Sequence, residues 1–250
     1  SISKDWAEDG IGYVRISQFR RNSSQELADA IRALESEGLK ALIIDVRHNP
    51  GGLLEEAIST VDLFVSEGVI VSIESRREEE NEDHLAHRET TITEAELVVL
   101  VDHGSASAAE IVAGALQDHD RATVVGKTSY GKGSVQSIFE YPDQSALKLT
   151  IARYILPSGR SLEDSGGILP DQVVALTTKR SPESEQLIEE LENLSLESED
   201  RATLERVLKK LNQQSTVTKR PSFRGAFQER LGDDPQLKAA LKILRENTAP

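Results

Sequence analysis

Two hydrophobic periods take turns along this chain. Residues 11–19 alternate apolar with polar side chains and are rich in β-branched types, which predicts a strand. Ser23 and Glu26 then suit a capping box, and Leu27, Ile31 and Leu34 recur at helical spacing until Gly38 stops the helix. Residues 40–46 form the near-continuous apolar run of a strand buried on both faces. The theme repeats. Leu54, Ala57, Ile58, Val61 and Phe64 suit a helix, Gly68 ends it, and residues 69–75 read as a strand. Residues 76–95 are densely charged and predict a solvated loop. A buried strand at 97–101, a helix through 117 and a short strand at 121–125 follow. Residues 134–141 and 145–155, joined by Pro142-Asp143-Gln144, predict an antiparallel hairpin. Strands alternating with helices give an α/β class with a mostly parallel sheet and right-handed βαβ crossovers.

Past residue 178 the texture changes. Residues 181–200 carry eight acidic groups and no Lys or Arg. Leu187, Ile188, Leu191 and Leu194, then Leu204, Val207, Leu208 and Leu211, recur at helical spacing, and a last amphipathic helix is expected over 236–245. The expected organisation is a core over 1–178 and a mainly helical region over 179–250, serving as a packing appendage or an oligomerisation element.

Composition narrows the function classes. Asp and Glu total 43 against 29 Lys and Arg, a net charge of −14. That sign disfavours nucleic acid and anionic membrane as main partners, since basic footprints supply most of such affinity. Cysteine is missing altogether, which removes disulfides, thiolate catalysis and Cys-based zinc sites. No apolar run approaches the roughly 20 residues of a membrane span. No basic segment followed by an apolar stretch opens the chain, so a secretory signal is expected to be missing or already removed.

Three small-residue clusters fall at predicted strand ends: His48-Asn49-Pro50-Gly51-Gly52, Gly104-Ser105-Ala106-Ser107-Ala108, and the run from Gly126 to Gly133. The carboxyl ends of strands are where open α/β sheets bind ligands. Taken singly, the first is also an ordinary tight turn, and Ser105 is an N-cap candidate. The third approaches a phosphate-binding loop, but Gly133 stands where Ser or Thr is needed, and a strand rather than a helix follows. His84 and His87 sit in the charged loop and suit a solvated pair better than a metal site. His103, two residues before Ser105, is a conceivable base for a serine, although a Ser-His-Asp arrangement depends on geometry.

Together these segments resemble the catalytic core of the carboxyl-terminal processing, or tail-specific, serine peptidases. The resemblance rests on GIGYVRISQF, IIDVRHNPGGLLEEAI, GSASAAEIVAGALQDHDRATVVGKTSYGKGSVQ, SALKLTIARYILPSGRS and GILPD, and covers roughly residues 10–172. It implies a crotonase/ClpP-like core, Ser107 as nucleophile, Lys132 as general base and Gln136 as the third member. A serine hydroxyl is a weak nucleophile and needs a base beside it. An ordinary lysine, with a pKa of about 10.4, is neutral in only about one molecule in 2,500 at pH 7, so burial away from carboxylates is expected around such a base. No acid stands nearer to Lys132 in sequence than Asp120 and Glu140. On a regular strand, Lys132 and Gln136 would share one face. The oxyanion is expected to meet the backbone N–H groups of Gly52, with Gly51 next in line, and Ala108. Glu110 and Ser129 take supporting positions, and Ser105 a capping one.

The resemblance further implies polypeptide substrates, an adaptor protein, self-association through the helical C-terminal region, and a periplasmic or cell-envelope setting. It calls for neither cofactor nor metal. Family members usually carry a PDZ domain before the first matching strand. Only nine residues precede that strand here, so the PDZ domain is expected to be missing from this chain. Lys127 stands where an acidic or neutral residue is common. Beside a serine endopeptidase stand two other readings: a non-catalytic ligand-binding module of the same fold, and an inactive scaffold. A crotonase-type enzyme would leave the serine and lysine motifs unexplained.

Overall fold

The apolar runs become the parallel strands. In chain order the elements are β1 (Ile2–Glu8), β2 (Ile11–Ile16), α1 (Ser23–Ser36), β3 (Ala41–Asp45), α2 (Leu54–Asp62), β4 (Val69–Ser75) and β5 (Glu82–Leu85). Then come β6 (Glu96–Val101), α3 (Ala108–Asp118), β7 (Ala122–Gly126), β8 (Ser134–Glu140), β9 (Ala146–Ile155), β10 (Gln172–Val173) and α4 (Pro235–Thr248). This computed structural model describes residues 2–8, 10–142, 145–175 and 234–248. The leucine-rich stretches between 187 and 211 lie outside the described residues. Among the described residues no helix is long and apolar enough to cross a membrane.

One sheet runs β1-β2-β3-β6-β7-β10, parallel throughout except for β1, which pairs antiparallel with β2. Every residue of β3 is buried, as strands covered on both faces must be. Val14, Ile16, Leu42, Ile44, Val99 and Val101 pack with α1, α2 and α3 in one apolar cluster. Tyr13, Ile43, Val98 and Leu100, at the alternate positions, are equally buried. Helix α4 lies against β3, β6 and β7 and buries Leu237, Ala240, Leu241 and Leu244. The chain divides into Ser1–Ala175 with Pro235–Pro250 as one unit and Leu176–Asp234 as the other, so the last helix packs with the core.

A second, antiparallel sheet runs β5-β4-β9-β8. Its β8–β9 hairpin matches the expected one, and Phe139, Leu147, Leu149 and Ile151 on it are exposed. Two local expectations differ from the outcome, and one strand stands where no element was expected. Residues 82–85, inside the expected loop, pair with β4 as an edge strand, whose charged side chains suit an edge open to water. The polar segment 2–8 adds the edge strand β1. At the start of α1 the N-cap is Asn22 in the left-handed region, and Glu56 from α2 accepts the N–H groups of Asn22 and Ser24 at 2.7 and 2.9 Å. A tertiary carboxylate does the work expected of a Ser23–Glu26 box.

Candidate active site

Strands β3 and β6 end side by side, and the two turns that leave them are bonded to each other. The Ser105 hydroxyl donates to Val46 O at 2.8 Å and accepts the Asp102 N–H at 3.0 Å, so it ties the strand ends together instead of capping α3. Ala106 N–H donates to Asn49 O at 2.9 Å. Buried Asn49 accepts Gly51 N–H at 2.8 Å and donates to Ile16 O at 2.9 Å. Asp102 accepts the N–H groups of His48 and Gly104 at 2.8 and 2.9 Å, which fixes His48 in the left-handed region at φ 56°.

The His48 ring also reaches Asp102, with Nδ1 3.0 Å from Oδ2. That hydrogen bond and the carboxylate's charge hold the imidazole above the usual histidine range, outweighing its partial burial. Burial alone would raise the Asp102 carboxyl, but its bonds from His48 and Gly104 bring it below the ordinary range. Beneath them, Asp45 is fully buried and receives Arg47 Nε and Nη2 at 3.0 and 2.7 Å and the Tyr13 hydroxyl at 2.6 Å. Burial pushes this carboxyl up, and the Arg47 charge overrides it, leaving a pKa of about 2.

Ser107 stands at the end of the β6 turn as the N-cap of α3, with φ 56° and ψ −118°. A side chain in that region costs about 1–3 kcal/mol and persists only where neighbours impose it. The neighbours are on hand. Ser107 N–H donates to Glu110 Oε2 at 2.8 Å, and Gly51 presses on the other side. A Cβ on Gly51 would lie 2.7 Å from Ala106 O, 2.9 Å from Ser107 Cβ and 3.0 Å from Ala108 N, so only glycine fits there. The Gly51 N–H is already taken by Asn49. Among the described residues the N–H groups of Gly52 and Ala108 have no acceptor, which leaves both open to a ligand beside Ser107.

Glu110 is the residue whose importance the sequence underplays. It is fully buried, and four donors converge on it. Oε1 accepts the Ser129 hydroxyl at 2.5 Å and Gly131 N–H at 2.6 Å, while Oε2 accepts Ser107 N–H and Lys132 N–H at 2.8 and 2.9 Å. One oxygen therefore joins the backbones of Ser107 and Lys132, 25 positions apart in sequence. Charge-assisted bonds of this kind are roughly twice as strong as neutral ones, enough to offset the strain at Ser107. The S-x-x-E spacing at the start of α3 was the signal that could have found it. It also places a carboxylate beside the Lys132 backbone, where the sequence neighbours held none.

The remaining expected residues sit more openly. Lys132 and Gln136 are exposed, and among the described residues no hydrogen bond joins Lys132 to Ser107 or to Gln136. Lys132 lies just before β8, outside the regular strand that carries Gln136, and the β8–β9 register shifts by one extra β9 residue between the Val135 and Gln136 pairs. His103 is exposed, its ring 5.7 Å from that of Tyr130, and among the described residues it makes no bond to Ser107. His87 turns to Asp62, with its backbone N–H donating to Oδ1 at 2.6 Å and its ring Nδ1 3.4 Å from Oδ2, instead of pairing with His84.

The sequence profile of Peptidase family S41 matches residues 10–174, spanning all of these turns. The chain belongs to that family. The carboxy-terminal-processing protease of Bartonella bacilliformis is 46% identical over 171 residues, covering 67% of this chain and 39% of that protein. The carboxyl-terminal-processing protease of Synechocystis is 44% identical, covering 66% of this chain and 38% of that protein. This chain thus spans about two fifths of the length of these relatives. The photosystem II D1 C-terminal processing protease superposes with a TM-score of 0.62 at 29% identity, covering 70% of this chain and 47% of that one. Mature CPAF, 17% identical with a TM-score of 0.57 and coverage of 70% and 49%, shares the fold. Within the S41 match lie the Ser107 turn, the Lys132 loop and the Gly51–Gly52 turn alike.

Proposed function

We propose that this S41 chain is the catalytic core of a serine endopeptidase that cuts unstructured or C-terminal segments of proteins. The observation that carries the reading is the strained N-cap Ser107, held by Glu110 on the same oxygen that holds the Lys132 backbone. Ser107 Oγ attacks the scissile carbonyl carbon while the Lys132 amine takes its proton. The N–H groups of Gly52 and Ala108 stabilise the oxyanion of the tetrahedral intermediate. Collapse breaks the C–N bond, Lys132 returns the proton to the leaving amine, and an ester to Ser107 remains. Water then attacks the ester with Lys132 again as base, the C–O bond to Ser107 breaks to release the carboxylic acid product, and Lys132 returns the proton to Ser107 Oγ. Gln136 orients the Lys132 amine in the bound complex without adding charge.

An inactive scaffold is the second reading. The exposed Lys132, with no bond to Ser107 among the described residues, is the observation that favours it. Incubating the chain and its Ser107→Ala variant with an unfolded polypeptide, followed by mass spectrometry of the products, separates the two. The peptidase reading expects cleavage by the first protein only. Cleavage that survives in Ser107→Ala removes the nucleophile assignment, and intact substrate with both proteins supports the scaffold.

A further inference from the structure

Arg47 launches the turn that carries Gly51 and Gly52, and it is almost entirely buried. Its Nε and Nη2 are taken up by Asp45, and its backbone N–H donates to Asp45 Oδ1 at 2.9 Å. The other guanidinium nitrogen, Nη1, points away from that carboxylate and donates to Gln236 Oε1 at 3.0 Å. Gln236 lies in the first turn of α4, fully buried, and its amide also donates to Val174 O at 2.9 Å just beyond β10. A residue 189 positions away therefore grips the arginine at the root of the proposed oxyanion turn. Polar groups are costly to bury, and the apolar contacts of Leu237, Ala240, Leu241 and Leu244 already dock this helix. An amide aimed at Arg47 is therefore not needed merely to bury α4.

We propose that Gln236 is a positioning residue for the oxyanion turn. By fixing the Arg47 guanidinium, it sets the backbone from His48 to Gly52 and hence the place of the Gly52 N–H. The inference rests on the reading of Gly52 as an oxyanion donor for Ser107. Its consequence is that α4 acts on the reaction while touching no reacting atom. Oxyanion donors act only when aimed at the developing charge, so displacement of the turn lowers turnover more than substrate binding.

Two variants separate this role from ordinary packing. Gln236→Leu keeps the bulk and loses the acceptor, whereas Gln236→Glu keeps an acceptor for Arg47. In Gln236→Leu, amide hydrogen exchange across residues 47–53 is expected to quicken by about tenfold, with exchange over 240–244 unchanged and Gln236→Glu close to the parent. In polypeptide hydrolysis, kcat falls about tenfold in Gln236→Leu with KM unchanged, and Gln236→Glu restores it. Unchanged exchange over 47–53, or an equal rise across α4, overturns the proposal. So does a loss of kcat shared equally by Glu and Leu, or a change confined to KM. If the parent chain shows no Ser107-dependent hydrolysis, the peptidase reading fails, and the exchange measurement still decides whether Gln236 holds the turn.

Discussion

The two halves of the site are built differently. On the nucleophile side, β3 and β6 deliver two turns locked by Asn49, Asp102, Ser105 and the Gly51–Ser107 contact, all on a sheet buried on both faces. On the base side, Lys132 and Gln136 belong to an exposed loop and hairpin whose apolar residues face water. Glu110 is the tether between them. The difference teaches that Ser107 and the N–H groups of Gly52 and Ala108 are held in place by the core, whereas Lys132 is held through its backbone. In the proposed mechanism the substrate completes the placing of its side chain. A rigid half and an adjustable half divide the work.

Ser107→Ala breaks the comparison hardest. It is expected to lower hydrolysis by on the order of 1,000-fold or more while leaving the melting temperature nearly unchanged, as single-turnover assays and calorimetry would show. Gly52→Ala tests the rigid half, because its Cβ would lie 1.9 Å from Phe19 O at a φ of 148°. The turn must shift, with roughly 100-fold lower turnover and about 1–3 kcal/mol lost in urea unfolding. On the exposed half, Leu149→Thr should change stability by less than about 0.5 kcal/mol; a loss equal to that of Gly52→Ala would erase the distinction. Glu110→Gln probes the tether. An amide nitrogen cannot accept, so about half of the four donors lose their partner. A fall of about 2 kcal/mol in stability and about tenfold or more in kcat is expected, and unchanged kcat would show that the tether is idle.

The smallest effect is on pH. A raised His48 pKa means that its contribution is complete below the ordinary histidine value and fades as pH rises through the folded one. Asp102, lowered, contributes above the ordinary carboxyl value and loses its share as pH falls. The pair thus stabilises most between about pH 4 and 6.5. With the imidazole 60% exposed, the amount is under about 1 kcal/mol. In His48→Asn the decline in stability between pH 6 and 8 should flatten; an unaltered pH profile would mean the pair is idle.

The fold was legible where burial on both faces writes an uninterrupted apolar run, as in β3 and β6, and where alternation spans a whole hairpin, as in β8–β9. It was illegible at edges. Strand β5 is polar because water, not a neighbouring layer, meets it, and β1 packs Ile2 and Trp6 on the core among charged neighbours, so local pattern cannot tell either from a loop. Within the site, the S41-like motifs pointed to Ser107, Gly52 and Ala108 at one place, and the structure groups them there. Glu110, Asp102 and Arg47 act through bonds between distant segments, and Gln236 reaches Arg47 across 189 positions, which no local periodicity records. Strand geometry does not fix Lys132 against Gln136, because β8 begins at Ser134 and Lys132 lies in the loop before it.

The central claim is that the core makes Ser107 a nucleophile and the hairpin side supplies its base. Labelling with a fluorophosphonate, read by peptide mass spectrometry, tests it directly. The account predicts one adduct, on Ser107, forming roughly 100-fold more slowly in Lys132→Ala at unchanged melting temperature. An adduct on another residue, or equal labelling rates in the two proteins, would contradict it.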